Sequence, residues 1–195
     1  MKRILLSGLA FAFAISSFGQ LSFGGQPLSY SGKALDNDKA VHSVTMPGYD
    51  QAAVDAENEE RDKNGEMSLF AYPYETNYSL TNSGTWTTLP SGDRVWKIRI
   101  EAPGALAINL LYEDFYLPQG SRLFVYNEDR TEYLGSFTEQ NNHESLEFIT
   151  GNLHGDVIYV EYFEPKAVSG QGSFTINQVN HAYRYITPLD TEPEL

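Results

Sequence analysis

The segment Arg94-Val-Trp-Lys-Ile-Arg-Ile-Glu101 carries the clearest structural pattern of the chain. Large apolar residues alternate there with charged ones: Trp96, Ile98 and Ile100 against Lys97, Arg99 and Glu101. Because successive side chains of a strand point to opposite faces, the alternation predicts a β-strand whose apolar side chains share one face and whose charged side chains share the other. We therefore expect Trp96 to lie in the core.

Similar segments lie on both sides of this strand, separated by turns rich in Gly, Pro, Asn and Ser. They cover residues 69–80, 85–89, 105–112, 122–127, 133–138, 145–150, 156–163 and 173–185. About eight or nine short strands with frequent turns are typical of two packed sheets. The pattern predicts an all-β fold, an antiparallel β-sandwich of jelly-roll type.

Two strands carry finer information. Residues 122–127 are apolar on both faces, which predicts an internal strand that is covered on both sides. In the last strand, Phe174 and Ile176 are out of phase with Val179 and Tyr183. We expect a β-bulge near Asn177 to restore the register.

The segment 50–63 is rich in helix formers and acidic residues. Asp50 is placed as an N-cap, and Gly65 follows the last helical residue. Its apolar side is thin, so we expect a short acidic helix that forms only when it is docked on a surface.

The N-terminus has the layout of a secretory signal peptide. Lys2 and Arg3 precede an apolar run, and small residues lead to a predicted cleavage after Gly19. The alternative is an uncleaved anchor, but the apolar run is shorter than the ~20 residues of a membrane span. We expect secretion to an extracellular or periplasmic location.

The predicted organisation has four parts. A signal peptide spans 1–19, an extended or mobile segment with the acidic helix spans 20–66, the β-sandwich spans 67–186, and a tail spans 187–195.

Charge and cysteine content exclude several classes of partner. The formal net charge is −13, and it becomes −15 when Lys2 and Arg3 leave with the signal peptide. A chain this acidic repels nucleic acid and anionic lipid surfaces, so neither is expected as a partner. The chain has no cysteine, so disulfides do not stabilise it.

The sequence shows no catalytic arrangement. The four histidines, His42, His143, His154 and His181, accompany neither a G-x-S-x-G nor a G-D-S-G motif. His154 lies in a turn without a nucleophile placed for it. We expect no enzymatic activity of the chain itself, no catalytic residue and no cofactor.

Metal sites are also not expected. Asp36-Asn37-Asp38 begins like a calcium loop, but the required glycine is missing. The oxygens of Asn127-Glu128-Asp129 at a strand end favour a solvated turn, with weak calcium binding as the alternative.

Aromatic residues offer a possible carbohydrate surface. Tyr72, Tyr74, Tyr78, Phe115 and Tyr116 could stack on sugar rings if they are exposed. The alternative, which we favour, is that they fill the core or cover the ends of the sandwich.

Four ordered segments resemble a known family. They are Asn82–Ala105 (with Thr85-Trp-Thr-Thr-Leu-Pro-Ser-Gly-Asp-Arg-Val-Trp96), Ile108–Arg130, Phe148-Ile-Thr-Gly151 and Gly155–Pro165, followed by His181-Ala-Tyr-Arg184. Together, over roughly 46–186, they resemble the N-terminal prosegment region of secreted lysyl-endopeptidase-like, chymotrypsin-fold serine proteases of Bacteroidetes-type bacteria.

The resemblance implies a role in folding and latency rather than catalysis. In that family a Cys-rich catalytic domain follows the prosegment, whereas this chain ends at Leu195. We therefore expect a truncated precursor, a clipped piece of one, or a free-standing copy, and no catalytic residue can be carried over. The expected partner is a serine protease domain, in cis or in trans. The alternative is a stand-alone secreted carbohydrate-binding or adhesive module.

Three basic residues are the candidate protease contacts. Proteases of the resembled family cut after basic residues, so a prosegment that presents such a side chain could block the specificity pocket. Arg61 and Lys63 end the acidic helix, and Arg184 is the last basic residue of the chain. If a trypsin-like activity matures the chain, the cut nearest its C-terminus falls after Arg184. The alternative is that Arg61 and Lys63 pair with Glu59, Glu60 and Asp62 on a solvated helix.

Overall fold

A computed structural model describes residues 21–31 and 40–184. The predicted signal peptide, the Asp36–Asp38 motif and the predicted tail lie outside the described residues. No helix within the described ranges is long and apolar enough to span a membrane.

The described chain is mostly strand, with one α-helix. The helix α1 is Gln51–Lys63. The strands are β1 His42–Thr45, β2 Ala71–Ser79, β3 Thr85–Thr88, β4 Arg94–Glu101, β5 Ala107–Tyr116, β6 Arg122–Asn127, β7 Tyr133–Phe137, β8 Phe148–Ile149, β9 Leu153–His154, β10 Val157–Glu164 and β11 Ser173–Ala182.

The strands form two sheets. The first has the order β1-β4-β10-β6-β7, and β3 also pairs with β4. The second has the order β2-β11-β5-β8, and β9 also pairs with β5. All pairs are antiparallel except one, so the architecture is consistent with the predicted all-β sandwich.

The exception corrects the expectation of a purely antiparallel fold. β1 pairs in parallel with the second half of β4, where Ser43 lies opposite Arg99. β3 occupies the first half of the same edge in antiparallel orientation. No hairpin joins β1 to β4, because the chain passes through α1 and β2 first. A turn therefore does not dictate the direction of this pair.

The core lies between the sheets, and the alternation of β4 builds one side of it. Trp96, Ile98 and Ile100 are fully buried. From the second sheet, Phe174 packs edge-on against Trp96 with ring centroids 5.4 Å apart, and it also contacts Tyr162 at 5.6 Å. The predicted burial of Trp96 is confirmed.

Two finer predictions are also confirmed. β6 is internal, between β10 and β7, and all of its residues after Arg122 are buried. The pairing of β11 with both neighbours shifts between Ile176 and Gln178, so the bulge lies at Asn177.

The acidic helix forms where the sequence predicts it. The Asp50 side chain accepts a hydrogen bond from the Ala53 amide, and Gly65 adopts a positive φ of 71° after the last turn. Only Val54 and Asn58 of the helix are buried. The thin apolar side therefore provides a narrow contact with the sheets.

Residues 21–31, which we name the strap, belong to the segment expected to be extended or mobile, and hydrogen bonds join them to the first sheet. The Phe23 amide donates to the Ser136 carbonyl oxygen at 3.0 Å, and the Leu28 amide donates to the Glu161 carboxylate at 2.6 Å. The strap thus runs along β7 and across the outer face of the first sheet. These contacts join residues more than a hundred positions apart, which local sequence patterns do not report.

Candidate functional site

The three predicted protease contacts, which we name the basic end (Arg61, Lys63 and Arg184), follow or end two elements that a side-chain hydrogen bond joins, α1 and β11. Asn58 fixes this arrangement: its amide nitrogen donates to the Tyr183 hydroxyl at 3.1 Å, and its amide oxygen accepts from the Leu69 amide at 2.7 Å. The second half of α1 is therefore held beside the end of β11. Asn58 is 2% exposed, so this anchor is shielded from water.

Arg61 and Lys63 are paired within the helix, but only weakly. Arg61 lies 3.0 Å from Glu57 and 3.5 Å from Glu66, and Lys63 lies 3.8 Å from Glu59. Exposed pairs of this spacing contribute about 0.3–0.5 kcal/mol each. Both basic groups can therefore be recruited by a stronger acidic partner. Of the partners that the sequence suggested, Glu59 pairs with Lys63. Arg61 pairs with Glu57 and Glu66, which were not expected.

Arg184 is the last residue that the structure describes. Its backbone amide donates to the Phe70 carbonyl oxygen at 3.3 Å, while the residue itself is exposed. The Tyr183 hydroxyl, one residue earlier, donates to the Leu69 carbonyl oxygen at 2.9 Å. The backbone hydrogen bonds that follow β11 thus continue up to Arg184, and this residue is exposed on the surface.

Most of the aromatic residues considered for sugar stacking are core residues. Phe115 is fully buried and Tyr74 is 8% exposed, so neither side chain is available to stack on a sugar ring. Tyr72 and Tyr78 are half-buried and pack against the same core. Tyr116 alone of this set is exposed, at 44%. A single exposed ring does not make a stacking platform.

Near the basic end, a cluster of aromatic rings surrounds His181. The ring of Tyr49 is stacked on Tyr72 with centroids 4.7 Å apart, and His181 meets Tyr49 edge-on at 5.0 Å. Tyr74 and Tyr183 complete the cluster. The Nδ1 atom of His181 is buried and has no hydrogen-bond partner among the described residues. Burial lowers the pKa of His181, against a smaller opposing effect of Asp156.

This environment makes stability depend on pH. In the unfolded chain His181 titrates near its ordinary pKa of about 6.5, whereas its pKa in the folded protein is lower. As the pH falls below about 6.5, the unfolded state binds more protons, so we expect the free energy of unfolding to decrease. The loss ends once the pH passes the folded pKa. In His181→Gln this contribution should be missing.

Urea titrations at about pH 7.5 and about pH 5.5 measure the effect in both proteins. The other three histidines are common to both, so their titration cancels in the difference. An equal loss of stability in the two proteins would contradict the buried neutral state of His181.

His143 and His154 are exposed and contact polar groups on the surface. His154 Nδ1 lies 2.9 Å from both carboxylate oxygens of Glu132, and this contact lowers the pKa of Glu132. His143 Nδ1 lies 3.0 Å from the Ser145 hydroxyl, but it also accepts from the Ser145 amide, as in a surface turn. Neither histidine lies in the core cluster or the aromatic cluster. The predicted absence of catalysis stays a prediction.

The oxygens of the suggested calcium turn already accept hydrogen bonds, that of Glu128 from Arg99 Nη2 of β4 at 3.2 Å. The Asn127 amide oxygen accepts from the Glu132 amide at 2.9 Å, and the Asp129 carboxylate accepts from the Thr131 hydroxyl at 2.8 Å. Among the described residues, no group of three His, Asp or Glu side chains could hold a metal ion.

Two buried charged sites are not evident in the sequence. Glu161 and Lys97 lie opposite each other on the outer face of the first sheet and are only 1% and 4% exposed. Glu164 is buried beside Arg94 at the end of the core. One feature of the sequence does indicate that the outer face is covered: Tyr126 and Tyr159 also point outward, which is unusual for a solvated face.

No protein-family model matches the chain. Among solved structures, isomalto-dextranase of Arthrobacter globiformis T6, complexed with panose, matches at a TM-score of 0.24 and 13% sequence identity. The match covers 56% of this chain and 22% of that protein. At this level of similarity, the match carries no argument about fold or function.

Proposed function

We propose that the chain is a non-catalytic, prosegment-like domain of a secreted serine endopeptidase precursor. It assists the folding and latency of a protease domain, which it binds through the basic end. The β-sandwich, of jelly-roll type, serves as the rigid body that carries these contacts. The sequence resemblance described above is one support for the proposal, and the arrangement of the basic end is the other.

The observation that carries the proposal is the position of three basic side chains on an acidic molecule. Arg61, Lys63 and Arg184 lie on adjoining elements that Asn58 and Tyr183 hold together. A protease that cuts after basic residues needs an acidic specificity pocket, which attracts such side chains. An anchored helix end presents them with less loss of conformational entropy than a free peptide would.

An inhibition assay tests this function. We expect residues 20–195, added in trans, to inhibit a lysine-specific secreted serine endopeptidase at micromolar concentration. The double variant Arg61→Ala/Lys63→Ala should weaken the inhibition by at least about tenfold, equivalent to about 1.4 kcal/mol. The reason is that two of the three cations that could enter the acidic pocket are removed. Inhibition constants from initial rates provide the measurement.

The matched control is Arg122→Ala/Lys166→Ala, which removes the same charge from two exposed positions away from the basic end. It should inhibit like the unchanged protein. Equal potency of the Arg61/Lys63 double variant would exclude these two residues, and Arg184→Ala then tests the third. If the unchanged protein does not inhibit but binds polysaccharide, the adhesive module is the better description.

A further inference from the structure

Ser29 is the centre of the side-chain hydrogen bonds that hold the strap on the outer face of the first sheet. The Glu161 carboxylate accepts hydrogen bonds from the Leu28 amide at 2.6 Å, from the Ser29 amide at 3.2 Å and from the Ser29 hydroxyl. Arg130 Nη1 donates to the Ser29 carbonyl oxygen at 3.3 Å. Glu161 of β10 and Arg130 of the turn between β6 and β7 thus bond to both the backbone and the hydroxyl group of one residue.

An aromatic contact follows directly in the sequence. The ring of Tyr30 meets Tyr126 edge-on at 5.3 Å and Tyr133 at 5.9 Å. The Arg130 guanidinium lies 5.9 Å from the centre of the Tyr30 ring. The first sheet and its β6–β7 turn therefore contact a hydroxyl residue and the aromatic residue that follows it.

The N-terminal half of the strap extends the first sheet at β7. The Phe23 amide donates to the Ser136 carbonyl oxygen at 3.0 Å, and the Ser136 amide donates to the Gly24 carbonyl oxygen at 3.4 Å. Backbone pairing of this kind accepts many sequences. A cavity of about 280 Å³ remains beside Ser22 and Gly24, lined further by residues 133–135 and Phe137. The strap thus fills this end incompletely.

The outer face of the first sheet, on which the strap lies, carries both charged and aromatic side chains. Glu161 and Lys97 face each other across β10 and β4, and the rings of Tyr126 and Tyr159 are stacked 5.4 Å apart. Burying charges is costly, so a permanent cover is ordinarily built over apolar residues. The charges of Glu161 and Lys97 keep this face partly hydrated when it is exposed, although the rings of Tyr126 and Tyr159 lie on it as well. This composition favours a cover that can leave.

We propose that the outer face of the first sheet is a peptide-binding site, specific for an extended segment with a hydroxyl residue followed by an aromatic one, which the strap fills in cis. Glu161 and Arg130 bind the backbone and hydroxyl of the ligand, Tyr126 and Tyr133 bind its ring, and β7 pairs with its backbone. A peptide of this chemistry competes with the strap for the same contacts. The site is independent of the function proposed for the basic end.

The test uses a labelled synthetic peptide with the sequence of residues 21–31. In the unchanged chain the strap competes, so binding should be weak. In Ser29→Ala/Tyr30→Ala the cis contacts are weakened, and we expect the peptide to bind at least about tenfold more tightly by fluorescence anisotropy. The same peptide with alanine at both positions should not bind. Adding Glu161→Gln to the vacated variant should abolish the gain.

Equal affinity of the unchanged and vacated proteins, with circular dichroism showing that both are folded, would overturn the proposal. If the vacated variant does not fold, hydrogen exchange of the unchanged chain decides. We expect the Leu28 and Ser29 amides to exchange at least about a hundredfold faster than the amides of β4 and β10, because the strap opens without unfolding the sheet. Equal protection would show that the strap leaves only on global unfolding, and the proposal would be wrong.

Discussion

Trp96→Ala is expected to lower the free energy of unfolding by about 3–5 kcal/mol. The side chain is fully buried, and its ring packs edge-on against Phe174. Its indole nitrogen donates to the Ser83 carbonyl oxygen at 2.8 Å, so the substitution also leaves that acceptor without its partner. Gly84 lies directly against the ring, so close that a Cβ atom there would clash with it. The site is therefore too closely fitted to collapse around an alanine.

Urea titration followed by far-ultraviolet circular dichroism measures this loss. Tyr116→Ala is the control: it removes another large aromatic side chain, but one that is 44% exposed, and it should change stability by less than about 0.5 kcal/mol. A loss of less than about 1 kcal/mol in Trp96→Ala, with an unchanged slope, would show that the packing around this ring contributes little.

The alternation of β4 was sufficient to predict which of its residues share the core face. The same reasoning identified β6 as an internal strand, because a strand that is apolar on both faces needs a cover on both. It also located the bulge at Asn177, since the phase of the apolar residues changes there. In each case the information lies within one strand, where the period of two relates sequence directly to position.

The second face of the first sheet could not be predicted in this way. Lys97 and Glu161 alternate with core residues exactly as solvated residues do, yet both are buried. The strap covers Glu161, and Ser29, which bonds to the Glu161 carboxylate, precedes it by 132 residues. Alternation states which residues share a face, but not what lies on that face. The strand β1 lies in the segment that was expected to be extended or mobile, and its parallel pairing was not predictable because no short turn connects it to β4.

The basic end was predictable in part. The caps and composition of segment 50–63 placed Arg61 and Lys63 in the last turn of a helix. The anchor that joins their helix to Tyr183, the neighbour of Arg184, was not predictable, since an asparagine within a polar helix is ordinarily a surface residue. Asn58 is buried because its amide satisfies backbone and side-chain groups of other elements.

The ion pair of Arg94 and Glu164 lies at the end of the core, where these residues face each other across β4 and β10. Glu164 is 1% exposed and accepts from Arg94 Nε at 2.9 Å, from Arg94 Nη2 and from the Gly170 amide at 3.0 Å. The guanidinium also lies 4.2 Å from the centre of the Trp86 ring. A buried carboxylate is tolerated here because a cation and a backbone donor both bind it.

We expect Arg94→Met to lower the free energy of unfolding by about 3 kcal/mol, because it leaves the Glu164 carboxylate buried without its cation while keeping an apolar side chain against Trp86. Arg122→Met, at an exposed position of β6, removes the same charge and should change stability by less than about 0.5 kcal/mol in the same urea titration. The double variant Arg94→Met/Glu164→Leu separates the two contributions. If the cost arises from the uncompensated charge, removing that charge as well should recover more than half of the loss, since an apolar pair can replace a buried ion pair. A double variant that is less stable than Arg94→Met would instead show that the Glu164 carboxylate stabilises the turn at Gly170 by itself, independently of the ion pair.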